Sequence, residues 1–506
     1  MMLPPRFPPQ RGGGGGESLH SRSLDSTRKG GTHSIGKAFI CFDMRSFLGT
    51  LLALTVVMFV WKPYYESLLS ARYRCSVASS SSISVESSTS TVEQEQEQEL
   101  ELVNDNDDPN NRTFRSYGSA ADLFVQFGAY RGGANTFTVV GLASKPLHVY
   151  GSPWFKCGWE PNGGGSSIAG KAHKMLPDWG YGRVYTTVIV NCTFPENPNA
   201  DNRGGKLMLY AYYAESSDRH EKLTSLEEPP GAYNESAYTP PYKYDYDYLY
   251  CGSSLYGNLS SDRIREWMAY HTWFFGPRSH FVFHNAGGVT PEVEAVLEPY
   301  VKAERVTMQD VRAQAAFDSY YYNQFVVVND CLHRYRFAAN WTFFFDVDEY
   351  IYIPDGNTLE SVLQEFSNNT QFTIDQYPMS AVLCLEDSAP AQGEWGFEKL
   401  LFKDSRTHIW KDRKYAIQAK NAYATGIHMS ENVEGGTLHN TETKIRYYHY
   451  HNAITVHDEV CRTLLPMTAM NATTWLDAVP YVYDDTMKKL APTIKEFERD
   501  YMREIN

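Results

Sequence analysis

Between Trp341 and Pro354 the chain reads WTFFFDVDEYIYIP, a run apolar enough for the centre of a sheet yet broken by Asp346, Asp348 and Glu349. Such a run, rich in aromatic and β-branched side chains and without polar alternation, fits a strand covered on both faces, and that requires layers on either side of it. In an extended strand successive side chains point to opposite faces, so Asp346 and Asp348 project together while Val347 points into the other layer. Two carboxylates brought together where an apolar strand ends cost desolvation and mutual repulsion, and a divalent cation reverses that sign. Mg²⁺ or Mn²⁺ held by one or two carboxylates plus substrate phosphates suits such a corner, where it would stabilise charge on a departing diphosphate. The bland alternative is a strand that simply ends in solvent, with Asp348 and Glu349 as edge charges.

The neighbouring sequence alternates in type. DRIREWMAYHTWFF (262–275) places Ile264, Trp267, Met268 and Phe274 at helical spacing behind Asp262 as a candidate cap. A strand SHFVFHNAG, a helix PEVEAVLEPYVKA, a short strand RVTMQDV and a helix ending in VVVNDCLHRYRFAA come before the aromatic strand. Alternating strand and helix predicts an α/β fold with a mostly parallel sheet covered on both faces and ligands at the strand ends.

Upstream, the organisation changes three times. Sixteen uncharged residues, SFLGTLLALTVVMFVW, lie between Arg45 and Lys62; flanking cations can snorkel to extend them, so 46–62 reads as a short transmembrane anchor behind a tail at 1–45. Seven Lys or Arg residues precede the anchor and keep the tail cytosolic, which leaves the rest of the chain luminal. Residues 63–112 include a Ser- and Glu-rich stretch with too few large apolar side chains to bury, and read as a disordered stem. From 113 to 235, short alternating runs such as FTVVGLA, LHVYGS, VYTTVIVNC and KLMLYAYYA between Gly, Pro and Asn turns predict a small all-β sandwich ahead of a catalytic domain at 236–506. Trp154, Trp159, Trp179 and Tyr181 in that region suit either a carbohydrate-binding platform or core packing.

A luminal body agrees with two further features. Sequons occur at Asn111, Asn191, Asn234, Asn258, Asn340, Asn368 and Asn471 and none precedes the anchor; Asn340, close to a buried strand, is expected to stay unmodified. Seven of the eight cysteines lie beyond the anchor, where disulfides form, and Cys157 with Cys192 is the expected pair. The odd count leaves one cysteine for a homodimer contact through the stem or β-rich segment. The net charge of −14 works against capture of a nucleic-acid backbone.

The ordered series YLYCGSSLYG, REWMAYHTWFFGPRSHFVFHNAG, VLEPYV, QFVVVNDCLHRYRFAANWTFFFDVDEYIYIP, KYAIQAKNAYATGIH and YYHYHN resembles the family ninety-two glycosyltransferases over roughly residues 245–465, and among them the plant galactan synthases. The resemblance implies a GT-A, Rossmann-like nucleotide-sugar domain, Mn²⁺, UDP-galactose as donor, inversion at the anomeric carbon and the β-1,4-galactan side chains of pectin as acceptor. It also implies a single-pass type II protein of the Golgi membrane. Its metal ligands would be Asp346 and Asp348, joined by His449 or, second, His451; the family's usual Arg after the His-Tyr pair is replaced here by His451.

Inversion needs a base for the acceptor hydroxyl. Carboxylates in LEDSAPAQGEWGFEK supply candidates, with Asp387 and Glu394 ahead of Glu398 and Glu386, and Gly393, Trp395 and Gly396 would admit an acceptor sugar. Donor contacts are expected from His284, Asn285 and Asp330, from Arg334 and Arg336 as diphosphate partners, and from Asp346, Lys414 and His428. Two alternatives stay open: a different acceptor, such as fucose on an N-glycan, and an inactive glycan-binding protein.

Overall fold

The computed structural model describes residues 115–117, 122–144, 153–178, 184–317, 321, 324–386, 393–406, 412–451, 453–455 and 460–505. The tail, the apolar segment 46–62, the stem to residue 112, Asn111 and the cysteines at 41 and 75 lie outside these residues. Among the described residues no helix is long and apolar enough to cross a membrane.

Eight antiparallel strands come first: β1 (Arg115–Tyr117), β2 (Phe124–Arg131), β3 (Thr136–Ser144), β4 (Trp154–Pro161), β5 (Ile168–Met175), β6 (Tyr185–Thr193), β7 (Gly205–Tyr212) and β8 (His220–Glu228), hydrogen-bonded in the order 1-2-3-6-5-4-7-8. Residues of β2, β3 and β6 meet residues of β4, β7 and β8 over Phe124, Phe137, Trp159, Val190, Leu207 and Leu223, so the sheet folds across itself into two packed layers. Cys157 on β4 and Cys192 on β6 are bridged, as the sequence suggested. Trp159 is wholly buried and stacks on Phe137 at 5.4 Å, which makes it core; Trp154 is 47% exposed, and Trp179 and Tyr181 lie outside the described residues.

The β-rich part shares a core with the catalytic domain. Strand β3 lacks polar alternation because both its faces are covered: Phe137 and Val139 point into the sandwich, Val140 and Leu142 toward Val327 and Cys331 of a helix in that domain.

That helix belongs to an alternating series, β9 (Tyr246–Leu255), α1 (Ser261–Phe275), β10 (Ser279–Asn285), α2 (Pro291–Lys302), β11 (Val306–Asp310), α3 (Gln324–Arg334) and β12 (Ala339–Phe344). The four strands are parallel, in the order β11-β10-β9-β12. Helix α2 starts at Thr290, whose hydroxyl accepts from the Val293 N–H, with Pro291 behind it. Helix α1 begins at Ser260 rather than Asp262, which sits in its first turn. On one face of the sheet Trp341, Phe343 and Phe345 pack with Trp267 and Met268 of α1; on the other, Leu249, Cys251 and Phe344 pack with α3. Asn340, close to a buried strand and expected to stay unmodified, lies exposed on β12 between buried neighbours.

The sheet continues from β12 through β15 (Lys414–Ile417), β14 (Gln371–Pro378) and β16 (Arg446–His449) to β13 (Glu349–Tyr352), with mixed directions. Chain order runs outward from β9 to β10 and β11 and then returns to β12 on the other side of β9. This reversal opens a crevice at the carboxyl ends of β9 and β12.

Disulfides Cys251–Cys331 and Cys384–Cys461 close loops of 80 and 77 residues. Replacing both Cys251 and Cys331 by serine should lower the unfolding free energy by about 2–5 kcal/mol in a denaturant titration, and an unchanged midpoint would show that the β9–α3 packing suffices alone.

Candidate metal and substrate site

The aromatic run is not one strand. It divides at a tight turn between β12 and β13 in which the Glu349 N–H donates to the Asp346 carbonyl at 3.2 Å and the Asp346 N–H donates to Glu349 Oε2 at 2.7 Å. The Trp267 indole N–H, from α1 beneath, donates to the carbonyls of Asp346 (3.2 Å) and Glu349 (2.9 Å). This turn, not strand alternation, gathers the acids: carboxylate oxygens of Asp346, Asp348 and Glu349 lie within 4.8 Å of one another.

Strand β16 brings the imidazoles. Its register with β13 sets His449 opposite Glu349, and His449 Nε2 lies 3.6 Å from Asp348 Oδ2 and 3.9 Å from Glu349 Oε1. His449 Nδ1 is 3.0 Å from Gln376 Oε1 on β14, so Nδ1–H donates to the amide oxygen and Nε2 is aimed at the acids. His451 Nδ1 lies 3.3 Å from that Nε2, and Asp348, His449 and His451 form a second group of donor atoms within 4.8 Å. Burial works against a charged His449, but Asp348 outweighs it and pushes the imidazole up to about 9.

Lys414, buried on β15, supplies the countercharge, 2.6 Å from Asp346 Oδ2 and 3.5 Å from Glu349 Oε1. Burial alone would raise Asp346, yet Lys414 holds it below the usual carboxylate range. Glu349 goes the other way, pushed up to about 8 by burial against the pull of Lys414 and reinforced by Asp346. Its Oε1 is buried without a hydrogen-bond donor among the described residues. Three acids and an oriented imidazole, with one carboxylate oxygen unsatisfied, are a donor set that fits a hard divalent cation.

Comparison with known proteins places the chain in a family. The profile of Glycosyltransferase family 92 matches residues 246–497. The chain is similar to Galactan beta-1,4-galactosyltransferase GALS1 of Arabidopsis thaliana, 66% identical over 476 residues that cover 91% of this chain and 95% of the relative. The chain belongs to glycosyltransferase family 92. Galactan beta-1,4-galactosyltransferase GALS2 and GALS3 of the same plant are 51% and 48% identical over 396 residues, covering 76% of this chain and 75% and 77% of those relatives.

For a family 92 glycosyltransferase the other expected site residues divide sharply. Lys414 joins the acidic corner, as described. His284 and Asn285 end β10 at the carboxyl edge, but the Asn285 side chain is engaged by the N–H groups of Gly287 and Val289, and His284 Nδ1 lies 3.2 Å from the Gly252 carbonyl. Asp330, Arg334 and Arg336 are corrections. Helix α3 runs antiparallel to β12, so its end lies at the amino edge of the sheet, away from Asp346. There the Tyr130 hydroxyl of β2 donates to Asp330, a Cβ at Gly128 would come within 2.5 Å of the same carboxylate, Arg334 lies 3.6 Å from it, and Arg336 donates to the Lys420 carbonyl. Asp330 and Arg334 thus tie Tyr130 of the β-rich part to α3, while Arg336 ties the end of that helix to the segment after β15. Tyr130→Phe should therefore destabilise the fold by about 1–3 kcal/mol, by leaving a buried carboxylate short of a donor, while the KM for donor stays unchanged; a raised donor KM would return Asp330 to the site.

His428 is half exposed and packs its Nδ1 2.9 Å from the Arg413 carbonyl, 3.9 Å by Nε2 from Asp412. Among the candidate bases, Asp387 lies outside the described residues and Glu386 is exposed. Glu398 is committed to structure: it accepts from the Trp395 N–H at 2.7 Å and pairs with Lys495. Glu394 sits between Lys399 at 3.8 Å and Lys488 at 3.7 Å. Trp395 is buried against Phe397 and offers no stacking face.

Gln376 carries no signal in the sequence because its contact with His449 depends on the β14–β16 pairing, which no local pattern announces. Glu349 stands in the motif, but its inward position comes from the turn.

Proposed function

We propose that this chain transfers galactose from UDP-galactose to the non-reducing end of β-1,4-galactan, with inversion, on a nucleotide-sugar domain of the GT-A type. The observation that carries the reading is likeness along 95% of a relative named as a galactan β-1,4-galactosyltransferase. The crevice between β9 and β12, with its acidic turn at the mouth, supports the same chemistry.

Asp346, Asp348 and His449, with His451 beside them, would hold Mn²⁺, which when bound supplies positive charge against a leaving diphosphate. Within the chain, Lys414 keeps Asp346 ionised and Gln376 fixes the His449 tautomer. The attacking acceptor hydroxyl gives its proton to a carboxylate as the new glycosidic bond forms and the bond to UDP breaks. Since lysines engage Glu394 and Glu398, Asp387 is the base we favour. Three disulfides support a body in an oxidising compartment, consistent with a Golgi lumen and an anchor at 46–62.

The test is UDP release and chain elongation from UDP-galactose with β-1,4-galacto-oligosaccharides, with Mn²⁺ and with chelator. Elongated, β-linked product that disappears on chelation is the expected outcome. Turnover only with fucosylated N-glycan would move the acceptor elsewhere, and no turnover on either would reject the enzymatic reading.

A further inference from the structure

Under the acidic turn, on the side of α1, lies a small cavity with room for a hydroxyl rather than a sugar ring. Of the turn's residues only Val347 and Asp348 line it; Asp346, Glu349 and Lys414 do not. The remaining wall is largely apolar, including Phe397, Leu400 and Ile454, and its other polar side chains are Arg263, Glu266, Tyr350 and Tyr450.

Arg263 is held in place with care. Its Nη1 donates to Glu266 at 2.9 and 3.3 Å, and Glu266, itself buried, also accepts from the Gly396 N–H at 2.8 Å. The guanidinium lies so close on Gly396 that a Cβ there would stand 0.9 Å from Nη1. Among the described residues the Nε and Nη2 of Arg263 meet no acceptor. Tyr450 is 4% exposed, its hydroxyl is buried without a partner among the described residues, and its N–H donates to the Asp348 carbonyl at 2.9 Å. A buried hydroxyl left unpaired costs about 1–3 kcal/mol, a cost that a ligand hydroxyl entering the cavity would remove.

We infer that Arg263 and Tyr450 form the subsite that receives a hydroxyl or hydroxymethyl arm of the acceptor's terminal sugar, and that Glu266 and Gly396 are positioning residues for Arg263. This rests on the proposed galactosyl transfer. Glu266 already neutralises the guanidinium and Asp348 adds negative charge, so the cavity does not select an anion; free N–H and O–H groups beside apolar walls suit a neutral, hydroxyl-rich ring. The acceptor is the better occupant than the donor because the cavity excludes Asp346 and Lys414 and is lined by Gly396, Phe397 and Leu400 instead.

Three variants of the full chain test it. Tyr450→Phe removes only an unpaired hydroxyl, Gly396→Ala displaces the flexible end of Arg263, and Arg263→Lys keeps the charge but loses the fork. Each should raise the KM for galacto-oligosaccharide about tenfold, with the KM for UDP-galactose and UDP affinity by titration unchanged. Tyr450→Phe should unfold no earlier than the parent, which separates a binding role from a structural one. An unchanged acceptor KM in Tyr450→Phe and Arg263→Lys, or an equal rise in donor KM, overturns the assignment. If the parent protein elongates a different acceptor, the galactan reading falls, and the same KM split measured on that acceptor still decides the subsite.

Discussion

Asp348→Asn should lower galactosyl transfer by about a thousandfold while leaving the unfolding midpoint in chelator little changed. The two effects have one cause. Asp348 is the acid closest to both imidazoles, so its charge is central to any cation held there; in the metal-free protein it repels Asp346 and Glu349 but also pairs with the charged His449, so its two effects on folding oppose one another. Removing that charge without changing shape takes away the function, while the lost repulsion and the lost attraction to His449 leave the fold near balance. The measurement pairs a transfer assay with thermal unfolding in Mn²⁺ and UDP: the parent should gain stability from the pair and the variant should not. Gln376→Leu provides the graded companion, since loss of the hydrogen bond behind His449 should weaken metal affinity about 10- to 100-fold and spare the ligands themselves. Full transfer by Asp348→Asn would remove the acidic turn from the mechanism.

How much of this is legible in the sequence depends on how far each contact reaches along the chain. The strand–helix alternation from β9 to β12 is readable because each element's apolar spacing is local, and the family pattern brings in Lys414, His449 and His451. The break at Asp346 is not, since FFFDVDEYIYI has strand propensity throughout; the turn exists because Trp267, 79 residues earlier, donates to its carbonyls. Asp330 and Arg334 of α3, with Arg336 just beyond it, are misplaced by the sequence pattern although the information is present. A helix that precedes a strand of the same sheet ends near that strand's beginning, which is the edge opposite the ligand crevice. The Arg263–Glu266–Gly396 cluster has no such signal, because it joins residues 130 positions apart.

Lys414→Met should be strongly destabilising. Lys414 is buried and serves two acids at once, so its loss leaves Glu349, at 1% side-chain exposure, with only His449 at 3.9 Å as countercharge; Asp346, at 36%, is partly screened by water. Removing one partner of a buried pair costs about 3–5 kcal/mol, and the exposure of Asp346 argues for the lower end. The pH dependence identifies the mechanism. In chelator, Glu349 of the parent already titrates at about 8, above its unfolded value, so the folded state binds a proton that the unfolded state releases, and its contribution falls as pH rises toward that value. Lys414 opposes this shift; without it Glu349 rises further and Asp346 loses the cation that depresses it. Denaturant titrations in EDTA from pH 5 to pH 9 should therefore show the gap between variant and parent widening with pH. A gap that stays constant would mean that Lys414 acts by packing its hydrocarbon chain, and the electrostatic account of the acidic turn would have to be abandoned.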